Sequence, residues 1–180
     1  MVNEGYDPNQ PRDELGQWTD ENGTSAKSGS IRPGENEEPD EEKLASSYDM
    51  NALTAEIEAN PQNASRILSQ AIADGRVNTR VHKGHQDKHI PGTQNYKQEI
   101  ANGREPSILT TDAAALIKEH AGKGVPVIRK GKWMQVEKFT HKKNIGTYNN
   151  RRKKQSYSTN IGRIHYSNKG AHVVPDKKNG

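Results

Sequence analysis

The chain contains no cysteine, which removes disulfides and thiolate metal sites from consideration. Phenylalanine occurs once, at Phe139, and aromatic residues make up only 5% of the 180 positions. Hydrophobic residues reach 29% and the mean hydropathy is -1.13, too little apolar surface for one core to organise every segment. No apolar run approaches the roughly 20 residues needed to cross a bilayer. The opening MVNEGYDPNQPRDELG has neither the basic nor the apolar stretch of a secretory leader. A soluble protein without a membrane partner is expected, acting in the cytoplasm of a host or target cell or carried with a virion.

Carboxylates are scarce where they would matter most. Residues 76–180 hold 7 Asp/Glu against 22 Lys/Arg, a net of +15, together with all seven histidines. Residues 1–75 hold 16 acidic against 5 basic side chains, a net of -11. The overall +4 therefore hides an acidic appendage joined to a segment with the electrostatics of a polyanion binder. Within residues 1–45 the large apolar residues (Val2, Tyr6, Leu15, Trp18, Ile31, Leu44) are scattered among Asn, Gly, Pro, Ser and Glu. That composition predicts a disordered acidic tail. Residues 46–75 read as a helical linker to a basic domain at 76–180.

Periodicity supports that division. A helix is expected over Tyr48–Ala59, capped by Asp49, with Leu53 and Ile57 on one face. Asn60-Pro61 breaks it, and a second helix runs from Pro61 to Ala73, stopped by Gly75. The pair either packs on the basic domain or merely links it to the tail. Arg76–His82 alternates like a strand, and a short helix is expected near Asn95–Ala101. A stronger one is expected over Asp112–Glu119, capped by Thr110 or Thr111. Beyond it the pattern turns to strands: Val125–Arg129 and Lys132–Phe139 as a hairpin about Lys130-Gly131, then Ile145–Tyr148, Gln155–Thr159, Arg163–Tyr166 and Ala171–Val174. Helices followed by an antiparallel sheet make the fold class α+β.

Several polar segments of the basic domain carry side chains suited to phosphate chemistry. KHIPGT supplies Lys88, His89 and Thr93; GREPS supplies Arg104 and Ser107; STNIGRIHYS supplies Thr159, His165, Tyr166 and Ser167; GAHVVP supplies His172. Cleavage of RNA through its 2′-hydroxyl needs a base for that hydroxyl and an acid for the departing 5′-oxygen. It also needs cations or donors around the pentacoordinate phosphorus. Histidine suits the first two tasks, and Arg, Lys and Thr suit the third. The seven carboxylates are too dispersed for a two-metal nuclease, so no metal and no cofactor are expected. The spacing of His82, His85 and His89 invites a zinc reading. Lys83, Gly84 and Lys88 between them argue against both a helix and a bound cation. Alternation places His165 opposite Ile164, on the open side of the sheet if Ile164 faces the core. Tyr96 and Tyr166 suit packing or base stacking, and the run Arg151, Arg152, Lys153, Lys154 suits a solvated turn that also meets phosphates.

KHIPGTQNY, GREPSIL, a Gly-Lys-Gly turn and the closing STNIGRIHYSNKGAHVVP follow the order of one known family. The chain resembles the bacterial polymorphic toxin type 50 domain over about Val81 to Pro175. That resemblance implies a ribonuclease of the barnase–EndoU–colicin–RelE-like fold and an acidic immunity protein as partner. It assigns polar positions to His89, Thr93, Tyr96, Arg104, Ser107, Thr159, His165, Tyr166, Ser167 and His172. Near the N-terminus, YDPNQPRDELGQWTDENG resembles a motif at the ends of phage head-associated and portal-associated proteins, which implies a phage virion or head-protein setting. The combined expectation is a metal-independent endoribonuclease with His89, Arg104, Thr159 and His165 as its catalytic group. The other named residues and Lys88 would contact RNA. Two other readings fit parts of the pattern. An ADP-ribosyltransferase would use Ser158-Thr159 and Arg104 but lacks a late catalytic Glu. A non-enzymatic nucleic-acid-binding or phage structural protein would use only the positive field.

Overall fold

Asp49 starts the first helix by accepting the backbone N–H groups of Asn51 and Ala52, both at 3.0 Å. In the computed structural model, which describes residues 48–150 and 152–177, that helix is α1 (Met50–Ala59). Pro61 opens a single 3-10 turn, Pro61–Asn63, that leads into α2 (Ala64–Ala73). Met50, Leu53, Ile57, Ala64, Ile67, Leu68 and Ala71 are buried in one core with Trp133, Ile164 and Val173. The segment expected as a linker thus supplies a wall of the core. The expected acidic tail, its phage-like motif and Arg151 lie outside the described residues. No helix among the described residues is long and apolar enough to cross a membrane.

Arg76–His82 does not form the expected strand. Asn78 accepts the N–H of Arg80 and donates to the carbonyl of Asn168, a local side-chain arrangement that displaces a regular ladder. Only Val81 makes an isolated bridge, parallel, to Ala171. Against expectation the chain then turns helical at α3 (Lys83–Gln86) and the 3-10 turn Asp87–His89. His82 caps α3 by accepting the N–H of His85 through Nδ1. Thr93 caps α4 (Gln94–Ala101), and Asn95 of α4 donates to the carbonyl of Gly84 in α3. The strand β1 (Ile108–Leu109) follows, then α5 (Ala113–His120). The cap of α5 is Asp112 rather than Thr110 or Thr111, because its carboxylate takes the N–H groups of Ala114 and Ala115. The Thr110 hydroxyl instead donates to the carbonyl of Ile145.

The remaining strands are β2 (Val125–Arg129), β3 (Lys132–Thr140), β4 (Gly146–Asn150), β5 (Gln155–Thr159), β6 (Ile161–Ser167) and β7 (Gly170–Asp176). They form two antiparallel sheets, β1-β4-β5 and β2-β3-β6-β7, so the protein is α+β. Directly paired residues share a face. Ile164 lies between Glu137 and Val173, and Tyr166 beside Ala171; this face is buried under α1, α2 and α5. The other face carries Lys138, Arg163 and Val174 in one row and Val136, His165 and His172 in the next. Glu137 is a fully buried carboxylate on the core-facing side. It accepts N–H groups from Gly122 and Gly124 and the hydroxyl of Tyr166, which pins the turn after α5 to the sheet.

Strand β7 ends the four-stranded sheet, yet its outer edge is satisfied. Ala171 donates to Arg80 O at 2.7 Å and receives His82 N–H at 2.8 Å. Two residues on, the side-chain amide of Gln86 replaces a strand: its Oε1 accepts Val173 N–H at 2.7 Å and its Nε2 donates to Val173 O at 3.1 Å. The next outward position is Pro175, which has no N–H to satisfy. Gly170 permits this close approach. Its φ is 130°, and a Cβ there would meet Arg80 O at 2.6 Å.

Gln86→Leu keeps the side-chain size but leaves both polar groups of Val173 without the Gln86 amide. The expected loss is about 2–4 kcal/mol of unfolding free energy, read from urea denaturation. A loss below about 0.5 kcal/mol would show that the amide does not hold the edge.

Candidate active site

The edge arrangement brings five of the seven histidines together. His165 and His172 are direct partners across β6 and β7, with ring centroids 4.8 Å apart. From α3 and the turn after it, His85 meets His172 edge-on at 5.2 Å and His89 lies parallel to it at 6.0 Å. His82 stacks on His85 at 4.2 Å. His172 is therefore the hub, flanked by His165 on one side and His89 on the other.

His89 is held in one tautomer. Its Nδ1 lies 2.8 Å from the carbonyl of Ser107, and a carbonyl can only accept, so Nδ1 carries the proton. In the neutral ring this leaves Nε2 as the basic nitrogen. Ser107 is itself fixed, since its hydroxyl accepts the N–H of Asn149 on β4. The rings on the sheet are poorly solvated. Burial, then the neighbouring Arg163 guanidinium, lowers the pKa of His165 to about 4. Burial, then His165 and His89, pushes His172 down to about 2. His85 is lowered chiefly by burial and by His82. At neutral pH His165 and His172 are uncharged bases facing a cationic surface.

The cation beside them is Arg163, two residues before His165 on the same face. Its Nε and Nη2 donate to the two oxygens of Asp176 at 2.8 and 2.6 Å, and Lys138 Nζ approaches the same carboxylate at 3.0 Å. Burial alone would raise Asp176, but the hydrogen bonds from Arg163 and Lys138 outweigh it and hold the carboxyl below its ordinary range. Arg163, Lys138 and Asp176 line a groove of about 660 Å³ together with residues of β2. Sequence reasoning passed over Arg163 although strand alternation, already applied to His165, puts the two on one face. It also passed over His85 as part of the site, because Lys83 and Gly84 argued against a helix that does form.

Other expected site residues lie elsewhere. Thr159 is buried, with its hydroxyl donating to Asp176 O and accepting Ile161 N–H. It precedes the end of β6 farthest from Ser167, about 13 Å or more from His165 along the strand at roughly 3.3 Å per residue. Tyr166 is turned into the core, 3% exposed and bonded to Glu137, so its ring cannot stack on a base at the histidine face. Arg104 pairs with Glu99, at 3.0 and 3.1 Å, rather than with Glu105, and Lys88 approaches the same Glu99. Lys88 directly precedes His89, and Arg104 joins Lys88 through Glu99. The Thr93 hydroxyl donates to the carbonyls of Asp87 and Ile90, so its work is to close the turn after His89. Tyr96 is half-buried on α4. Ser167 shares the face of His165, its hydroxyl donating to Gly170 O. Arg152, Lys153 and Lys154 form an exposed turn between β4 and β5, on the strand pair whose Asn149 fixes Ser107.

The family model described as bacterial toxin 50 matches residues 81–175, an interval that contains every histidine of the cluster. No curated protein matches the chain.

The depressed histidines make stability pH-dependent. An unfolded ring takes its proton near pH 6.5, whereas His165 does so only near 4. Between those values the unfolded state binds more protons, so stability falls as pH drops through that window and is unaffected above it. Each such ring contributes a slope of up to about 1.4 kcal/mol per pH unit. Denaturation curves from pH 7 to 4 should show this loss, and His165→Gln should flatten it. An unchanged slope in that variant would mean His165 titrates normally in the fold.

Proposed function

The chain belongs to the bacterial toxin 50 family, and from that membership we propose that its toxic activity is metal-independent cleavage of RNA at the histidine face of β6 and β7. The observation that carries this reading is the convergence of His89, His172 and His165, with His89 locked by Ser107 and Arg163 beside His165. Binding alone would be served by lysine and arginine. A row of imidazoles, with His165 and His172 held uncharged next to a guanidinium, suits proton transfer around a phosphate.

In this mechanism His165, uncharged at neutral pH, accepts the proton of the 2′-hydroxyl. The resulting oxygen attacks the adjacent phosphorus, and His89, entering the step as an imidazolium with Nε2 as well as Nδ1 protonated, gives its Nε2 proton to the 5′-oxygen as the bond to phosphorus breaks. A 2′,3′-cyclic phosphate and a free 5′-hydroxyl result. The phosphate, once bound, raises the pKa of the surrounding imidazoles, which brings His165 closer to the basicity that the step requires. Arg163 faces the charge that builds on the phosphorane, its Nε and Nη2 oriented by Asp176 and its Nη1 remaining for the phosphate. Lys88, Arg104 and the turn Arg152–Lys154 gather the polyanion at the rim. An acidic immunity protein that covers the +15 surface is the partner such a toxin calls for.

The full chain should cleave RNA in excess EDTA and leave DNA intact, because the nucleophile is the 2′-hydroxyl. Activity abolished by EDTA and restored by Mg²⁺ would falsify the metal-independent route.

His89→Ala and His165→Ala should each slow cleavage by at least about 100-fold, the loss typical of a missing acid or base. Arg163→Lys should cost at least about 10-fold, because an ammonium cannot reproduce the oriented guanidinium. Thr159→Val should stay within about 3-fold of wild type if its hydroxyl serves only the backbone. Retention of more than a third of the rate in either histidine variant removes that residue from the mechanism.

A further inference from the structure

The two histidines outside the cluster form a site of their own. His120, the last residue of α5, presents Nε2 to Nδ1 of His141 at 2.9 Å. Glu119 Oε1 stands 3.6 Å from that Nε2 and 3.7 Å from that Nδ1. The same three atoms take part in all three distances, so they form a triangle with one 2.9 Å edge and two edges of 3.6 and 3.7 Å. A point equidistant from the three corners lies roughly 2.0 Å from each. That equals the Zn–N and Zn–O bond length of about 2.0–2.2 Å.

Hydrogen bonding accounts for only one edge of this triangle. Two neutral imidazoles can share one proton along the 2.9 Å edge. The carboxylate oxygen remains beyond hydrogen-bond length from both nitrogens, and it faces each of them about equally. A cation at the centre, displacing that proton so that His120 carries its proton on Nδ1 and His141 on Nε2, would meet three lone pairs together. The surroundings favour holding the rings in place. His120 stacks on Phe139, with centroids 4.4 Å apart and planes 16° from parallel. The backbone of His141 is tied to Asn160 by two 2.8 Å hydrogen bonds, one through its N–H and one through its carbonyl. The side chains of His120 and His141 are 14% and 17% exposed, whereas that of Glu119 is 48% exposed. The histidines therefore form a wall and the carboxylate closes it from solvent.

We propose that Glu119, His120 and His141 form a binding site for one Zn²⁺-class divalent ion, with the fourth position open to water. Two imidazole nitrogens and one carboxylate oxygen suit a borderline ion over Mg²⁺ or Ca²⁺, which require mostly oxygen ligands. The ion joins the end of α5, the segment leaving β3, and through Asn160 the one-residue link between β5 and β6. It therefore clamps the corner where the two sheets meet, and its effect is on stability. This proposal stands apart from the ribonuclease reading, since the site shares no residue with the histidine face.

The test is calorimetric titration of the EDTA-treated, tag-free full chain with ZnCl₂, paired with Co²⁺ visible absorption and thermal unfolding. Expected are one ion per chain with a Kd of roughly 10 μM or tighter, a tetrahedral-type Co²⁺ band and an unfolding midpoint raised by about 5 °C at saturation. Glu119→Gln, which preserves packing, should weaken binding at least about 10-fold, and His141→Ala at least about 100-fold. The double variant His85→Ala, His89→Ala should retain it. Absence of binding, or binding unchanged in both Glu119→Gln and His141→Ala, overturns the proposal. So does binding lost in the double variant, which would place the ion in the other histidine cluster.

Discussion

The side-chain amide of Gln86 on the edge of β7 is the contact on which the histidine face depends. A strand edge offers one N–H and one carbonyl at every second residue, and an amide side chain offers the matching pair in one planar group. By pairing with Val173 across 87 residues of sequence, Gln86 fixes α3 against the sheet at one rotation. That rotation sends His85 and His89 over His172. The same contact removes the exposed edge through which two such sheets could pair. Placement of the histidines and protection of the edge thus rest on one residue, 2% exposed.

A domain this basic would ordinarily favour uncharged over charged histidine, and here the sheet strengthens the tendency. His165 and His172 lie among neighbouring rings and beside Arg163, so each added proton is opposed by burial and by like charge. Asp176 tempers the field without cancelling it, because its carboxylate is spent on Arg163 and Lys138. A bound phosphate brings the missing negative charge. Under the proposed function, the site would take up protons when a polyanion arrives, which would couple substrate binding to acid–base readiness.

The extent of the family match and the extent of the folded core differ. The match begins at residue 81, yet Leu53, Ile57 and Leu68 of α1 and α2 are at most 1% exposed in the same core as Ile164 and Val173. Glu137 adds a second tie on that side, holding the turn after α5 and the Tyr166 hydroxyl. The helical segment is part of the scaffold that keeps β6 and β7 in place. A fragment starting near residue 76 would expose the apolar residues that α1 and α2 cover.

Local periodicity made most of the strands legible. The hairpin around Lys130-Gly131, the face of His165 opposite Ile164, the two N-terminal helices and the α+β class all follow from nearest-neighbour patterns, and the closing IHYS and AHVVP motifs pointed to the toxin family. The composition of residues 76–180 likewise made the strong positive charge of that segment legible. The rest was set by contacts between residues far apart in sequence, to which no short window is sensitive. Alternation around His165 left open whether Tyr166 would stack on a base or be buried against Glu137, and that choice is made by helices far upstream. Thr159 looked chemical until the carbonyl of Asp176 claimed its hydroxyl, and Arg104 until Glu99 did. The helix at Lys83–Gln86 has poor local propensity and forms because Gln86 gains two hydrogen bonds on β7. The histidine cluster follows from that tertiary gain, since only a folded edge strand can bring His85 and His89 to His172.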